Sequence, residues 1–109
     1  MYVDVHAHLI HRSFEGEEDR VAQRAAAAGL EYVIVNGLEP VSNRRVVSLC
    51  ERHPHLLAAC GIYPVDAIAG LIDRATWDAE FDPPEPFCVD AEIAWIDDNA
   101  DKLIAVGEC

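Results

Sequence analysis

Asp4-Val5-His6-Ala7-His8 places the side chains best suited to chemistry near the start of the chain. In an extended segment side chains alternate with a period of two, so Asp4, His6 and His8 share one face while Ala7 points away. Two imidazoles held in this way can grip one divalent cation, and Asp4 beside them is placed to orient or buffer the site. Glu108 follows Leu103-Ile104-Ala105-Val106-Gly107, and a carboxylate at a strand end can bridge two metal ions. A Glu after a strand is commonly just a solvated loop residue, so its weight comes from being paired with the two histidines. Gly61-Ile62-Tyr63-Pro64 offers a third segment, in which the phenol of Tyr63 can donate a hydrogen bond to a substrate oxygen. His53-Pro54-His55 repeats the H-x-H spacing but precedes a strand instead of following one. That order predicts exposed loop histidines at the opposite end of the fold, and His11 is likewise expected to face solvent.

These residues need elements to position them. Val3 and Val5 alternate with Asp4 and His6 as a first strand whose polar face carries the histidines. Glu17 to Ala28 is alanine-rich, acidic in its opening turn and followed by Gly29, which predicts a helix. Tyr32-Val33-Ile34-Val35 reads as a strand buried on both faces. A second helix is expected from Pro40, suited to the first helical position, to Arg52. Leu56 to Ile62 forms the third strand, broken at Pro64. Between Val65 and Asp90 only a short helix near Ile68 to Asp73 is expected, and Asp82-Pro83-Pro84-Glu85-Pro86 reads as a surface excursion. Asp90 is expected to cap a helix reaching about Ala100, with Ile93, Ile96 and Ala100 on one face. Leu103 to Val106 is the fourth strand. Strict alternation of strand and helix argues a parallel α/β sheet with right-handed crossovers.

Composition narrows the function classes. No apolar tract of about 18 residues is present to span a membrane, and Met1-Tyr2-Val3-Asp4 lacks the basic start and apolar stretch of a signal peptide. A cytoplasmic protein is expected. Cys50, Cys60, Cys88 and Cys109 contain no C-x-x-C pair, so most are expected to be buried thiols. The formal net charge of −12, from 20 acidic against 8 basic residues, opposes a general grip on phosphate backbones. If a nucleic acid is the substrate, metal ions must supply much of the positive charge.

D-x-H-x-H-L at the N-terminus, G-I-x-P after the third strand and A-x-G-E after the fourth, in this order, resemble the TatD family of metal-dependent deoxyribonucleases. The resemblance implies a (β/α) TIM-barrel metallo-hydrolase, of which residues 1–109 are the N-terminal half of one domain, truncated after the fourth strand; a full barrel takes about 250 residues. It also implies that His6 and His8 bind one metal and that Glu108 bridges two divalent ions (Zn, Mn or Mg). Such ions activate water, orient a phosphate and stabilise the leaving oxygen. The expected substrate is DNA or a small phosphoester, with Tyr63 standing where the family usually has His. Two further histidines and an aspartate, the expected proton acceptor, lie on later strands of the family barrel. Amidohydrolases and a second class of barrel phosphoesterases also open with H-x-H. The former commonly carry a modified Lys where this chain has Glu108, and the latter continue with Ser-Asp-Gly, which is missing after His8. A non-enzymatic alternative is an inactive half-barrel that needs a partner chain.

Overall fold

The computed structural model describes all 109 residues. Strands β1 (Tyr2–Ala7), β2 (Leu30–Asn36), β3 (Leu56–Cys60) and β4 (Leu103–Val106) form one sheet in the order β1-β2-β3-β4. Every neighbouring pair is parallel. Helices α1 (Glu18–Ala27), α2 (Pro40–Arg52) and α4 (Val89–Asp98) occupy the three crossovers, the last of which also holds the one-turn helix α3 (Pro64–Ala67). The α/β alternation expected from the chain is therefore present.

Local chemistry explains where the helices begin and end. Glu18 and Asp19 sit in the first turn of α1, where carboxylates favour the positive end of the helix dipole. Gly29, at φ +90°, takes the left-handed turn that ends it. The start of α2 is a reciprocal cap. The Glu39 carboxylate accepts from the Val41 and Ser42 amides at 2.7 Å each, and the Ser42 hydroxyl accepts from the Glu39 amide at 3.0 Å.

Val33 and Val35 of β2 and Leu56, Ala58 and Cys60 of β3 alternate into one core with Val46, Val47 and Leu49 of α2, joined by Ala22 of α1 and Ile96 of α4. Enclosing a Val or Leu side chain is worth about 1.5–3 kcal/mol, so the β2–α2–β3 unit is the rigid frame. The alternate residues Ile34 and Leu57 are only half-buried, and Tyr32 is exposed. The expectation that the second strand is buried on both faces is thus corrected: helices cover one face of the sheet and leave the other open. Val3 and Val5 of β1 are exposed as well, because β1 is an edge strand.

Other expectations shift. The third strand closes at Cys60 instead of Ile62, and near Ile68 to Asp73, where a short helix was expected, there is only a 3-10 turn at Ala69–Leu71, preceded by α3. Pro64 supplies the first residue of α3, a role that suits its fixed φ. Asp90 lies inside the first turn of α4, and Cys88 is the cap, without a side-chain bond. Ile93 points to solvent while Ile96 and Glu92 face inward, and Ala100 begins a 3-10 turn beyond the helix. The proline-rich excursion is irregular, pinned by Arg74, which bonds the Pro84 carbonyl at 3.1 Å and the Glu85 carboxylate at 2.9 Å. No helix is long and apolar enough to cross a membrane.

Candidate metal centre

His6 stands near the end of β1 and His8 just past it, while Glu108 lies two residues past β4. Those strands are the two edges of the sheet. In a flat sheet, with strands about 4.8 Å apart, three spacings would separate them by about 14 Å. Oε2 of Glu108 nevertheless lies 3.1 Å from Nε2 of His6 and 3.2 Å from Nε2 of His8, and the two Nε2 atoms are 3.1 Å apart. Two features close the gap. The sheet curls, and the chain beyond β4 leans back across the end of β3, where the Gly107 amide bonds the Cys60 carbonyl at 2.9 Å and the Glu108 amide bonds the Gly37 carbonyl at 3.2 Å.

Hydrogen bonds satisfy this triangle poorly. An imidazole Nε2 is either a donor or a lone pair. If both rings donate to Glu108, two N–H groups crowd together at a single carboxylate oxygen. If only one donates, the other turns a lone pair toward the carboxylate oxygen. A cation facing all three atoms removes the conflict, and donors about 2.0–2.2 Å from one divalent ion lie about 3 Å from each other. The residues present therefore fit a metal ion, and this is a group of nitrogen and oxygen donors of the kind that suits Zn, Mn or Mg.

Asp4 is close by but outside the triangle. Its carboxylate accepts the His6 backbone amide at 3.0 Å, so it stiffens the strand turn that presents the ring. Tyr63 lines a cleft of about 290 Å³ together with His8, Ile10, His11, Leu38 and Glu108. Tyr63 and His11 thus share a cleft with two of the three donors, and His11 Nδ1 accepts the Ser13 amide at 3.2 Å. No Lys or Arg lines this cleft.

The second H-x-H pair is far from the triangle, as its place before β3 implies, but its histidines are not free loop residues. His53 Nε2 lies 2.6 Å from Asp19, and His55 Nε2 lies 2.9 Å from the Ala22 carbonyl, so both pin α1. The thiols are also corrected: Cys60 is buried and Cys50 half-buried, whereas Cys88 and Cys109 are exposed. Sequence reading missed Asn43 and Glu92, which are 0% and 2% exposed. The available signal was a polar side chain one turn from an apolar one on each helix, Asn43 before Val46 and Glu92 before Ile96.

The family model described as TatD related DNase matches residues 3–109. Among curated proteins, the chain is 38% identical over 63 residues to the uncharacterized metal-dependent hydrolase YjjV of Escherichia coli (strain K12), covering 58% of this chain and 24% of that protein. It is 28% identical over 108 residues to the uncharacterized metal-dependent hydrolase YabD of Bacillus subtilis (strain 168), covering 99% of this chain and 36% of YabD. It is also 27% identical over 106 residues to the 3'-5' ssDNA/RNA exonuclease TatD of Salmonella typhimurium (strain LT2), covering 97% and 35%. The crystal structure of YjjV, a TatD homologue from Escherichia coli K12, superposes with a TM-score of 0.68 at 27% identity, over 98% of this chain and 36% of that one. The chain thus spans about a third or less of the length of these relatives, and its sheet and helices are a partial (β/α) barrel.

Proposed function

The chain belongs to the TatD-related DNase family, and on that premise we propose that it carries part of a metal-dependent phosphodiesterase centre in which His6, His8 and Glu108 are the ligands. The observation that carries this reading is the convergence of two Nε2 atoms and one carboxylate oxygen to 3.1–3.2 Å. His6 and His8 hold one ion, with Asp4 steadying the strand that presents them. Glu108 turns Oε2 to the imidazoles, and its other carboxylate oxygen would remain available to hold a second ion. Bound divalent ions supply an activated water and neutralise charge on the phosphate. Tyr63 donates to a substrate oxygen in the adjoining cleft.

The substrate is DNA or a small phosphoester. The Salmonella relative, a 3'-5' ssDNA/RNA exonuclease, supports this class. So does the electrostatic balance: with a net charge of −12 and no basic side chain in the cleft, attraction for a phosphate must come from the metal centre.

Hydrolysis of a labelled single-stranded oligonucleotide and of bis-p-nitrophenyl phosphate tests the reading, with Mn²⁺, Zn²⁺ or Mg²⁺ added and with chelator. Activity that chelator removes and that His6→Ala and Glu108→Ala abolish is expected. Metal-stimulated activity indifferent to both substitutions would sink the assignment.

One observation favours a second reading. The edge strands expose Tyr2, Val3, Val5, Ile104 and Val106, apolar surface that further strands would cover. On this reading residues 1–109 are a half-barrel that binds metal and becomes hydrolytic only when a partner chain supplies the other strands. Metal uptake without hydrolysis, followed by activity on mixing with a separately produced C-terminal half of a relative, would separate it from the first.

A further inference from the structure

The carboxylate of Glu108 depends on a backbone that is itself held from below. Gly61, just past β3, faces the Gly107–Glu108 peptide so closely that a Cβ on Gly61 would lie 2.6 Å from the Gly107 carbonyl carbon and 2.7 Å from the Glu108 oxygen. Glu108 therefore rests on two backbones, Gly61 by contact and Gly37 by its amide hydrogen bond.

Asn43 of α2 grips both. Its Nδ2 donates to the Gly61 carbonyl at 2.9 Å and its Oδ1 accepts the Gly61 amide at 3.2 Å. Its side chain also fills the place where a Cβ on Gly37 would stand. Because the Gly61 amide can only donate, the orientation of the Asn43 amide is set by its partners. Nδ2 is further tied to Oε1 of Glu92 at 2.8 Å. Glu92 is itself clamped by Arg44 at 2.6 and 2.7 Å, and the Arg44 guanidinium lies 4.0 Å from the centre of the Trp95 ring. A buried carboxylate and a buried amide are costly to keep unless every polar atom is partnered. Here each is, and no buried side-chain polar atom lacks a partner.

We propose that Asn43, tethered by Glu92, is a positioning residue that holds Glu108 within reach of His6 and His8. The inference rests on reading those three residues as a metal centre. Asn43 touches neither the imidazoles nor the cleft, and it acts by fixing the Gly61 and Gly37 backbones on which Glu108 sits. Groups that orient ligands from behind typically change metal affinity about 10- to 100-fold when removed.

The test compares the wild-type chain with Asn43→Leu, Glu92→Ala and Val46→Ala. Mn²⁺ affinity is measured by calorimetry, and exchange of the Gly107 and Glu108 amides by NMR relative to that of Val33 and Val35. Asn43→Leu is expected to weaken Mn²⁺ binding about 10- to 100-fold and to speed exchange at Gly107 and Glu108 selectively. Glu92→Ala keeps the two bonds from Asn43 to Gly61 and is expected to show the same changes to a smaller degree, giving the answer if Asn43→Leu does not fold. Val46→Ala, which only opens the core, should lower the melting temperature while leaving Mn²⁺ affinity at its wild-type value and without speeding Gly107 and Glu108 ahead of Val33 and Val35. Variants at 43 and 92 that match Val46→Ala in both readouts would overturn the proposal. A wild-type chain that takes up no Mn²⁺ overturns the metal centre instead, while amide exchange still reports whether Asn43 fixes Glu108.

Discussion

Glu108 Oε2 lies 3.1 Å from His6 Nε2 although β1 and β4 are opposite edges of the sheet. The three side chains thus meet across the whole width of the sheet, and each proposed ligand reports on whether that convergence is present.

Substituting a ligand tests this contact. Glu108→Gln keeps the side-chain shape but replaces a carboxylate with a neutral amide, a poor partner for a divalent ion. Zn²⁺ or Mn²⁺ affinity should fall by more than the roughly 10- to 100-fold that outer partners cost, with the melting temperature of the metal-free protein little changed. His6→Ala should behave alike. Calorimetric titration decides the matter, and undiminished affinity in either variant would remove that residue from the site.

Gly61→Ala places a methyl group against the Gly107–Glu108 backbone. Forcing volume into a closed contact costs about 1–3 kcal/mol, and in a chain of this size each kcal/mol lowers Tm by about 4–8 °C. Gly70, whose added Cβ would meet nothing within 4 Å, is the control: Gly70→Ala should be nearly silent. Equal melting curves for the two variants would contradict the close packing of Gly61 on Glu108.

Burial pushes the Cys50 thiol up to about 12 and the Cys60 thiol up to about 11, with the Glu92 charge adding to the effect at Cys60. The thiolate is the reactive form, so at pH 8 a disulfide reagent should modify Cys88 and Cys109 quickly and the other two only on unfolding. Four fast thiols in the folded protein would show that the core around β3 is open.

Asp19 has its carboxyl lowered from the ordinary range, first by the hydrogen bond from Arg52 and then by that from His53. A group with a depressed folded-state value stabilises the fold above its unfolded value, near pH 3.9 for Asp, and loses that contribution as pH falls through the folded one. The Tm gap between wild type and Asp19→Asn should therefore be full near neutrality and close below about pH 4. Since the group is exposed, added salt should shrink it. A gap that persists undiminished at pH 3 would mean that the α1–α2 latch is not ionic.

The near-neighbour patterns were largely legible. Val3 to His8 alternate with period two, Pro40 to Arg52 combine a first-turn proline with inward Val46 and Leu49, and Gly29 ends a helix, because each depends on residues a few positions apart. Errors arose where partners are distant. His53 and His55 looked like loop residues until Asp19 and the Ala22 carbonyl met them. Ile93 had the spacing of a core residue, yet the inward side of α4 goes to Glu92 because Arg44 and Asn43 partner its charge.

What the chain order determined by itself was the alternation of strands and helices and the shared face of His6 and His8, since both follow from backbone periodicity over one or two turns. That Glu108 stands at their end of the sheet was already expected from its place after the fourth strand, and only the tertiary structure brought its Oε2 to 3.1 and 3.2 Å from the two imidazoles. That contact depends on how far a parallel sheet curls when α2 packs against β2 and β3, and on a buried Asn43 holding two glycine backbones in place, and neither is encoded in any local spacing.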